Sequence, residues 1–111
     1  MRTGFNKREG KFVIISVNIS DNRAHIAISG MIDTLDSEKF LEQVESLPED
    51  AQNIEFDMEQ VTYISSSGLR VLLKAMDMAE ERGGAMRVAK CSGFVREILN
   101  AVGFNKLFEV V

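Results

Sequence analysis

A single cysteine and a single histidine among 111 residues leave little from which to build a metal centre or a covalent catalytic apparatus. Cys91 has no partner for an internal disulfide, which fits a reducing cytoplasm, and it makes no pair with His25 at metal-ligand spacing. Tryptophan is absent and proline occurs once, at Pro48. With no low-complexity stretch and no internal repeat, no linker divides the chain, and one domain over 1–111 is expected. No apolar run approaches the roughly 20 residues that a membrane-spanning helix needs. Phe12-Val13-Ile14-Ile15 follows basic residues, but it is too short for the apolar core of a signal peptide and soon meets Ser16 and Asn18. The expectation is a cytoplasmic protein without membrane insertion. A net charge of −4 runs against a general nucleic-acid surface, which works by neutralising phosphates, and suits a basic docking partner better. The one basic cluster, Arg2, Lys7, Arg8 and Lys11, falls within 1–11, which reads as a solvated, mobile tail.

What is present is a succession of short periodic segments. Phe12 to Val17 is rich in β-branched residues and reads as a strand. Asp21-Asn22 signals a turn, after which Ala24, Ile26 and Ile28 alternate with His25, Ala27 and Ser29 in a second strand. The short connection makes these two an antiparallel hairpin. Gly30 ends the second strand. A helix follows with Phe40, Leu41, Val44 and Leu47 on its apolar side, capped by Thr34 or Asp36 and closed by Pro48. Ile54–Met58 alternates as a third strand, and Gln60 to Ile64 reads as a loop. Leu69, Leu72, Leu73, Met76 and Ala79 then recur at the spacing of one helical face, up to Arg82-Gly83-Gly84. Ala85–Ala89 is a fourth strand. Ser92 caps a third helix with Val95, Ile98, Leu99 and Val102 on one face and Gly103 at its end, and Leu107–Val111 is a final strand.

The order ββαβαβαβ predicts an α/β fold with a mixed, mostly parallel sheet. Alternation in the third strand puts helices mainly on one face, above Ile54 and Phe56, with Glu55 and Asp57 turned away. The first strand is apolar at successive positions, so partial cover of the other face is expected as well.

Between the third strand and the second helix stands Ser65-Ser66-Ser67-Gly68. A nucleophile elbow requires glycine two positions before the serine, where Ser66 has Ile64, and His25, the one available base, belongs to the opening hairpin. Gly83-Gly84 is followed by Ala85 rather than a Lys-Ser/Thr pair, so there is no nucleotide-binding loop either. No enzymatic activity, cofactor or metal is expected. Two readings of the serines remain open. One is plain capping of the helix. The other is a phosphoacceptor, because a phosphate of charge about −1.5 to −2 is tolerated at the amide-rich, partly positive end of a helix.

Asp57-Met58-(x)₂-Val61-(x)₂-Ile64-Ser65-Ser66-Ser67-Gly68-Leu69-Arg70-Val71-Leu72-Leu73 resembles the signature of STAS domains, in particular the single-domain bacterial anti-sigma-factor antagonists. Gly30-Met31-Ile32-Asp33, Gly83-Gly84-Ala85-Met86-Arg87-Val88 and Leu99-(x)₃-Gly103-Phe104-(x)₂-Leu107-Phe108 are similar to further pieces of that family. The resemblance implies the STAS fold and a phosphoacceptor two residues before the glycine, Ser66, with Ser65 or Ser67 as alternatives because Ser65 stands where many antagonists carry aspartate. It implies an anti-sigma factor that is a serine kinase of the histidine-kinase-like ATPase fold, bound when Ser66 is unmodified and released on its phosphorylation. A PP2C-type serine phosphatase would reverse the step. Asp33, Thr34, Ser65, Ser67, Gly68, Leu69 and Arg70 would line the contact. A constitutive STAS subunit of a lipid or anion transporter, or a partner switch controlling secretion, are the alternative functions.

Overall fold

The computed structural model describes residues 2–8 and 11–111, with side chains from Val13 onward. Six strands lie in one sheet in the order of the chain, β1 (Arg2–Arg8), β2 (Lys11–Ser20), β3 (Arg23–Ile32), β4 (Asn53–Ile64), β5 (Met86–Ala89) and β6 (Glu109–Val110). β1, β2 and β3 pair antiparallel, whereas β3, β4, β5 and β6 pair parallel. Each parallel step is bridged by a helix: α1 (Asp36–Glu45), α2 (Ser66–Glu81) and then α3 (Gly93–Ala101), the last followed by a 3-10 turn at Phe104–Lys106. This connection is what a parallel pair demands, since a tight turn cannot reverse the chain twice.

Val13, Ile15 and Val17 of β2, Ala24, Ile26 and Ile28 of β3, and Ile54, Phe56 and Met58 of β4 are all buried, and they form one apolar face. Phe40 of α1 meets Phe56 edge-on with ring centroids 5.5 Å apart, and Val44, Leu72, Ala75, Val95 and Leu99 complete the core from the three helices. The opposite face is polar. Glu55 accepts from Nε of Arg87 at 2.6 Å and faces Nδ1 of His25 at 3.2 Å, and Ile14, opposite Ser29, stands 44% exposed. The cover expected on that face is therefore not found among the described residues: Ile14 lies between buried Val13 and Ile15, so the apolar run reflects one outward isoleucine.

The final strand is shorter than expected, Glu109–Val110 instead of Leu107–Val111, and three larger differences from the sequence reading bear on the sheet. Within the stretch expected as a tail, Arg2–Arg8 pairs with β2 as an edge strand. Backbone pairing of this kind needs no apolar pattern, and basic residues suit an edge that must not aggregate. The side chains of Arg2, Lys7, Arg8 and Lys11, and the residues Met1, Glu9 and Gly10, lie outside the described residues. Gly30 does not end its strand. With φ at 107° it sits at a register shift where Gly30 opposes Val61 and Met31 opposes Tyr63, and β3 continues to Ile32. Finally, Gln60 to Ile64 is strand rather than loop. A bulge opposite Ile28 moves the inward position to Val61, out of step with Met58, and the second shift, at Gly30/Met31, brings Ile64 inward in place of Tyr63. The side chain of Asp57 accepts from the Glu59 amide at 3.1 Å, giving that amide a partner within the bulge.

Candidate functional site

Extending β4 to Ile64 carries the serine run to the end of the sheet where parallel strands finish, the usual place for sites in open α/β sheets. There β4 turns directly into α2. Ser65 is held in an extended conformation (φ −80°, ψ 169°), and its amide donates to the carbonyl of Ile32 at 2.8 Å. Its own carbonyl accepts from Leu69 at 2.9 Å, and its hydroxyl accepts from the Gly68 amide at 3.2 Å. Ser65 is thus the N-cap of α2, satisfying one of the amides that a helix start leaves orphaned.

A second layer fixes this cap. Ser37, at the start of α1, donates from Oγ to the carbonyl of Asp33 at 2.8 Å, and its oxygen lies 3.4 Å from Oγ of Ser65. With the Ser37 proton committed to Asp33, the Ser65 hydroxyl is the donor across that contact. Ser65 therefore both gives and receives, and it is only 7% exposed. An oxygen so placed is a structural group. Asp33 plays a matching part for α1, since its Oδ1 accepts from the amides of Leu35 at 3.1 Å and Asp36 at 3.0 Å. The cap of α1 is therefore Asp33, not Thr34 or Asp36 as the sequence suggested. Leu35, the residue formally preceding the helix, has no capping side chain, and the carboxylate reaches over it.

Ser66 is the first residue inside α2, and it is exposed. Ser67 is half-buried and turns toward α1. Gly68 is buried, and a β-carbon there would stand 2.7 Å from Cγ1 of Ile64 and 3.0 Å from Cγ2 of Ile32. The helix start can approach the ends of β3 and β4 this closely only through glycine. Leu69 is half-buried against the core, and Thr34 and Arg70 are exposed. The fold thus gathers every residue expected at the site on one rim. It also divides them: Thr34, Ser66 and Arg70 are exposed, while Asp33, Ser65 and Gly68 hold the rim's shape.

Beside Ser66 runs a groove of about 400 Å³ between α1 and α2, lined by Thr34, Ser37, Glu38, Leu41, Ser67, Arg70, Val71 and Lys74. The sequence reading named Thr34, Ser67 and Arg70 but missed Ser37, Glu38 and Lys74. Lys74 follows Ser67 and Arg70 at helical spacing, a signal present in the sequence. Ser37 is recognisable only once the two helix starts are brought together. His25 lies well away, on the open face of the sheet near the beginning of β3. Strand rise puts it on the order of 20 Å from the Ile32 end, too far to act as a base on Ser66. No helix among the described residues is long and apolar enough to cross a membrane.

Comparison with known proteins agrees with this architecture. A STAS-domain containing protein of Pseudomonas aeruginosa is 31% identical over 85 residues, covering 77% of this chain and 84% of the relative. The anti-sigma-B factor antagonist of Bacillus subtilis is 21% identical over 96 residues, covering 86% and 88%. Among solved structures, an anti-sigma factor antagonist from Mycobacterium paratuberculosis superposes with a TM-score of 0.78 at 19% identity, over 88% of this chain and 84% of the other. The anti-sigma factor antagonist SpoIIAA matches in its unphosphorylated form (TM-score 0.72, 17% identity, 87% of each chain). It matches also in its phosphorylated form, from Bacillus (0.70, 16%, 87% and 90%). The STAS domain model itself matches residues 5–111, and with the rim and sheet described above, the chain belongs to the STAS domain family.

Proposed function

We propose that this chain is a phosphorylation-switched binding protein that antagonises an anti-sigma factor, with Ser66 as the acceptor. The observation that carries the reading is the division of labour among the three serines: Ser65 is consumed as a buried cap, Ser67 lines the groove, and Ser66 is exposed on the rim. A kinase can reach that oxygen without unfolding the helix. The phosphate would sit on the first turn of α2, where the helix dipole favours negative charge and no acidic residue opposes it. Kinship with antagonists, one of them solved both with and without phosphate, supports the same reading.

In the proposed cycle the unmodified rim binds a serine kinase of the histidine-kinase-like ATPase fold, which is itself the anti-sigma factor. Transfer of phosphate to Ser66 places a charge of about −1.5 to −2 under that partner. Burying such a charge costs several kcal/mol, and each ~1.4 kcal/mol lowers affinity tenfold, so the complex separates. A PP2C-type phosphatase restores the binding form. The test is intact mass after incubation with ATP, magnesium and a candidate serine kinase of the histidine-kinase-like ATPase fold. Addition of one phosphate, lost in Ser66→Ala while kinase binding is kept, is the expected result. Phosphate retained in Ser66→Ala would move the acceptor elsewhere, and no phosphate at all would favour a constitutive STAS subunit.

A further inference from the structure

The groove between α1 and α2 differs in charge from the molecule around it. Its floor is apolar, with Leu41 half-buried and Val71 buried, while Arg70 and Lys74 stand on one wall against Glu38 on the other. Two cations thus face one carboxylate on a chain whose net charge is −4. Asp33 does not redress this, since its carboxylate is turned onto the amides of Leu35 and Asp36. Arg70 and Lys74 enter no ion pair among the described residues. In contrast, Arg23 and Arg87 on the open face of the sheet are matched by Glu55.

We propose that this groove receives an acidic segment of the partner that covers Ser66, with an apolar side chain set on Leu41 and Val71 and carboxylates on Arg70 and Lys74. The proposal deepens the reading of Ser66 as the switch and rests on it for the partner's role. Helical spacing links the two. Arg70 is four residues beyond Ser66 on α2, so a phosphate on Ser66 lies within reach of the same guanidinium that the partner's carboxylate would use. Phosphate brings a charge of about −1.5 to −2, which outweighs the single excess positive charge of the groove. One modification therefore takes Arg70 away from the partner and repels the partner's acidic segment.

The test needs neither kinase nor phosphate. The isotope-labelled chain is titrated, by two-dimensional NMR at fixed ionic strength, with an acetylated Asp-Glu-Leu-Glu-Asp amide. A Lys-Lys-Leu-Lys-Lys amide and inorganic phosphate are run in parallel. The acidic peptide is expected to shift the amides of Ser67, Arg70, Val71 and Leu41, and the basic peptide is expected to leave them in place. Replacing both Arg70 and Lys74 by Gln should weaken the acidic peptide roughly tenfold, with thermal stability kept, since two exposed ion pairs are removed. Ser66→Asp should weaken it several-fold. Preference for the basic peptide, shifts centred on Arg23 and Arg87, an unaffected double variant, or equal shifts from inorganic phosphate would each overturn the proposal. None of these outcomes touches the assignment of Ser66 as acceptor, which the mass measurement decides by itself.

Discussion

The hydroxyl of Ser65 accepts from the amide of Gly68 at 3.2 Å, while Ser66, one residue further, is exposed. Neighbouring serines of identical chemistry are thereby given opposite work. Loss of an N-cap hydroxyl typically costs about 1 kcal/mol. Ser65→Ala should therefore lower the melting temperature by about 4–8 °C, whereas Ser66→Ala should leave it nearly unchanged. Paired thermal melts followed by circular dichroism make the comparison, and equal losses would mean that the cap is misassigned.

Gly68→Ala sets a gain against a loss. Alanine is favoured over glycine within a helix by about 1 kcal/mol. Its β-carbon, however, would stand 2.7 Å from Cγ1 of Ile64, and overpacking of that kind typically costs about 1–3 kcal/mol. We expect net destabilisation of about 1 kcal/mol by urea unfolding. In an Ile64→Ala background the clash is gone and the same change should become neutral or stabilising. A double-mutant cycle with no coupling would refute the contact.

How much of this is legible in the sequence depends on whether a feature is local. Ile54–Met58, the face Leu69–Leu72–Ala79 and the stop at Gly83 are readable because their periods and caps lie within a few residues. The continuation of β4 is not, because two register shifts, opposite Ile28 and at Gly30/Met31, leave Val61 and Ile64 inward three residues apart, a spacing that imitates a loop. Arg2–Arg8 carries no strand period, and its pairing is decided by β2 rather than by its own residues. At the site, the serine motif locates the rim and the family resemblance singles out Ser66. What separates the cap from the exposed hydroxyl is Ser37, a residue 28 positions from Ser65 in the chain.

Arg82 is a further long-range tie. Its guanidinium donates to the carbonyls of Pro48 at 3.0 Å, Ala51 at 3.1 Å and Leu47 at 3.4 Å, fastening the end of α2 to the segment after α1. Removing it leaves three carbonyls without this donor, and hydrogen bonds from charged groups contribute about 1.5–3 kcal/mol. Partial exposure reduces that, so Arg82→Ala should cost about 1–2 kcal/mol in urea unfolding. Arg82→Lys should recover little, because an ammonium cannot reproduce the planar fork. Full recovery by lysine would show that charge alone matters.

Cys91 offers a pH-dependent readout. Burial pushes its thiol above the ordinary value, with Arg96 acting weakly in the other direction. The folded state therefore favours the neutral thiol. That contribution to stability is complete below the ordinary thiol value and is lost as pH rises through the higher value of the folded chain. Near pH of about 8.5, alkylation by iodoacetamide should be slower in the native protein than in urea. Equal rates would show an exposed, unperturbed thiol.

The proposed switch makes a demand on stability that separates Ser66 from Ser67. A carboxylate at position 66 would lie on the exposed first turn of α2, which holds no acidic residue, and interaction with the helix dipole is favourable by about 0.3–1 kcal/mol. Ser66→Asp should thus melt at or slightly above the parent temperature at low salt. The difference should close as salt is added, because a Debye length of about 10 Å at 0.1 M screens an exposed charge. At position 67 the carboxylate would be half-buried, and its desolvation cost is only partly offset by Arg70 and Lys74, which share the groove with Glu38, so Ser67→Asp should melt lower than Ser66→Asp at every salt concentration. That ordering is what release by surface charge requires. If Ser66→Asp were instead the less stable variant, phosphate at Ser66 would act by loosening α2, and separation from a partner would follow from local unfolding rather than from repulsion across an intact rim.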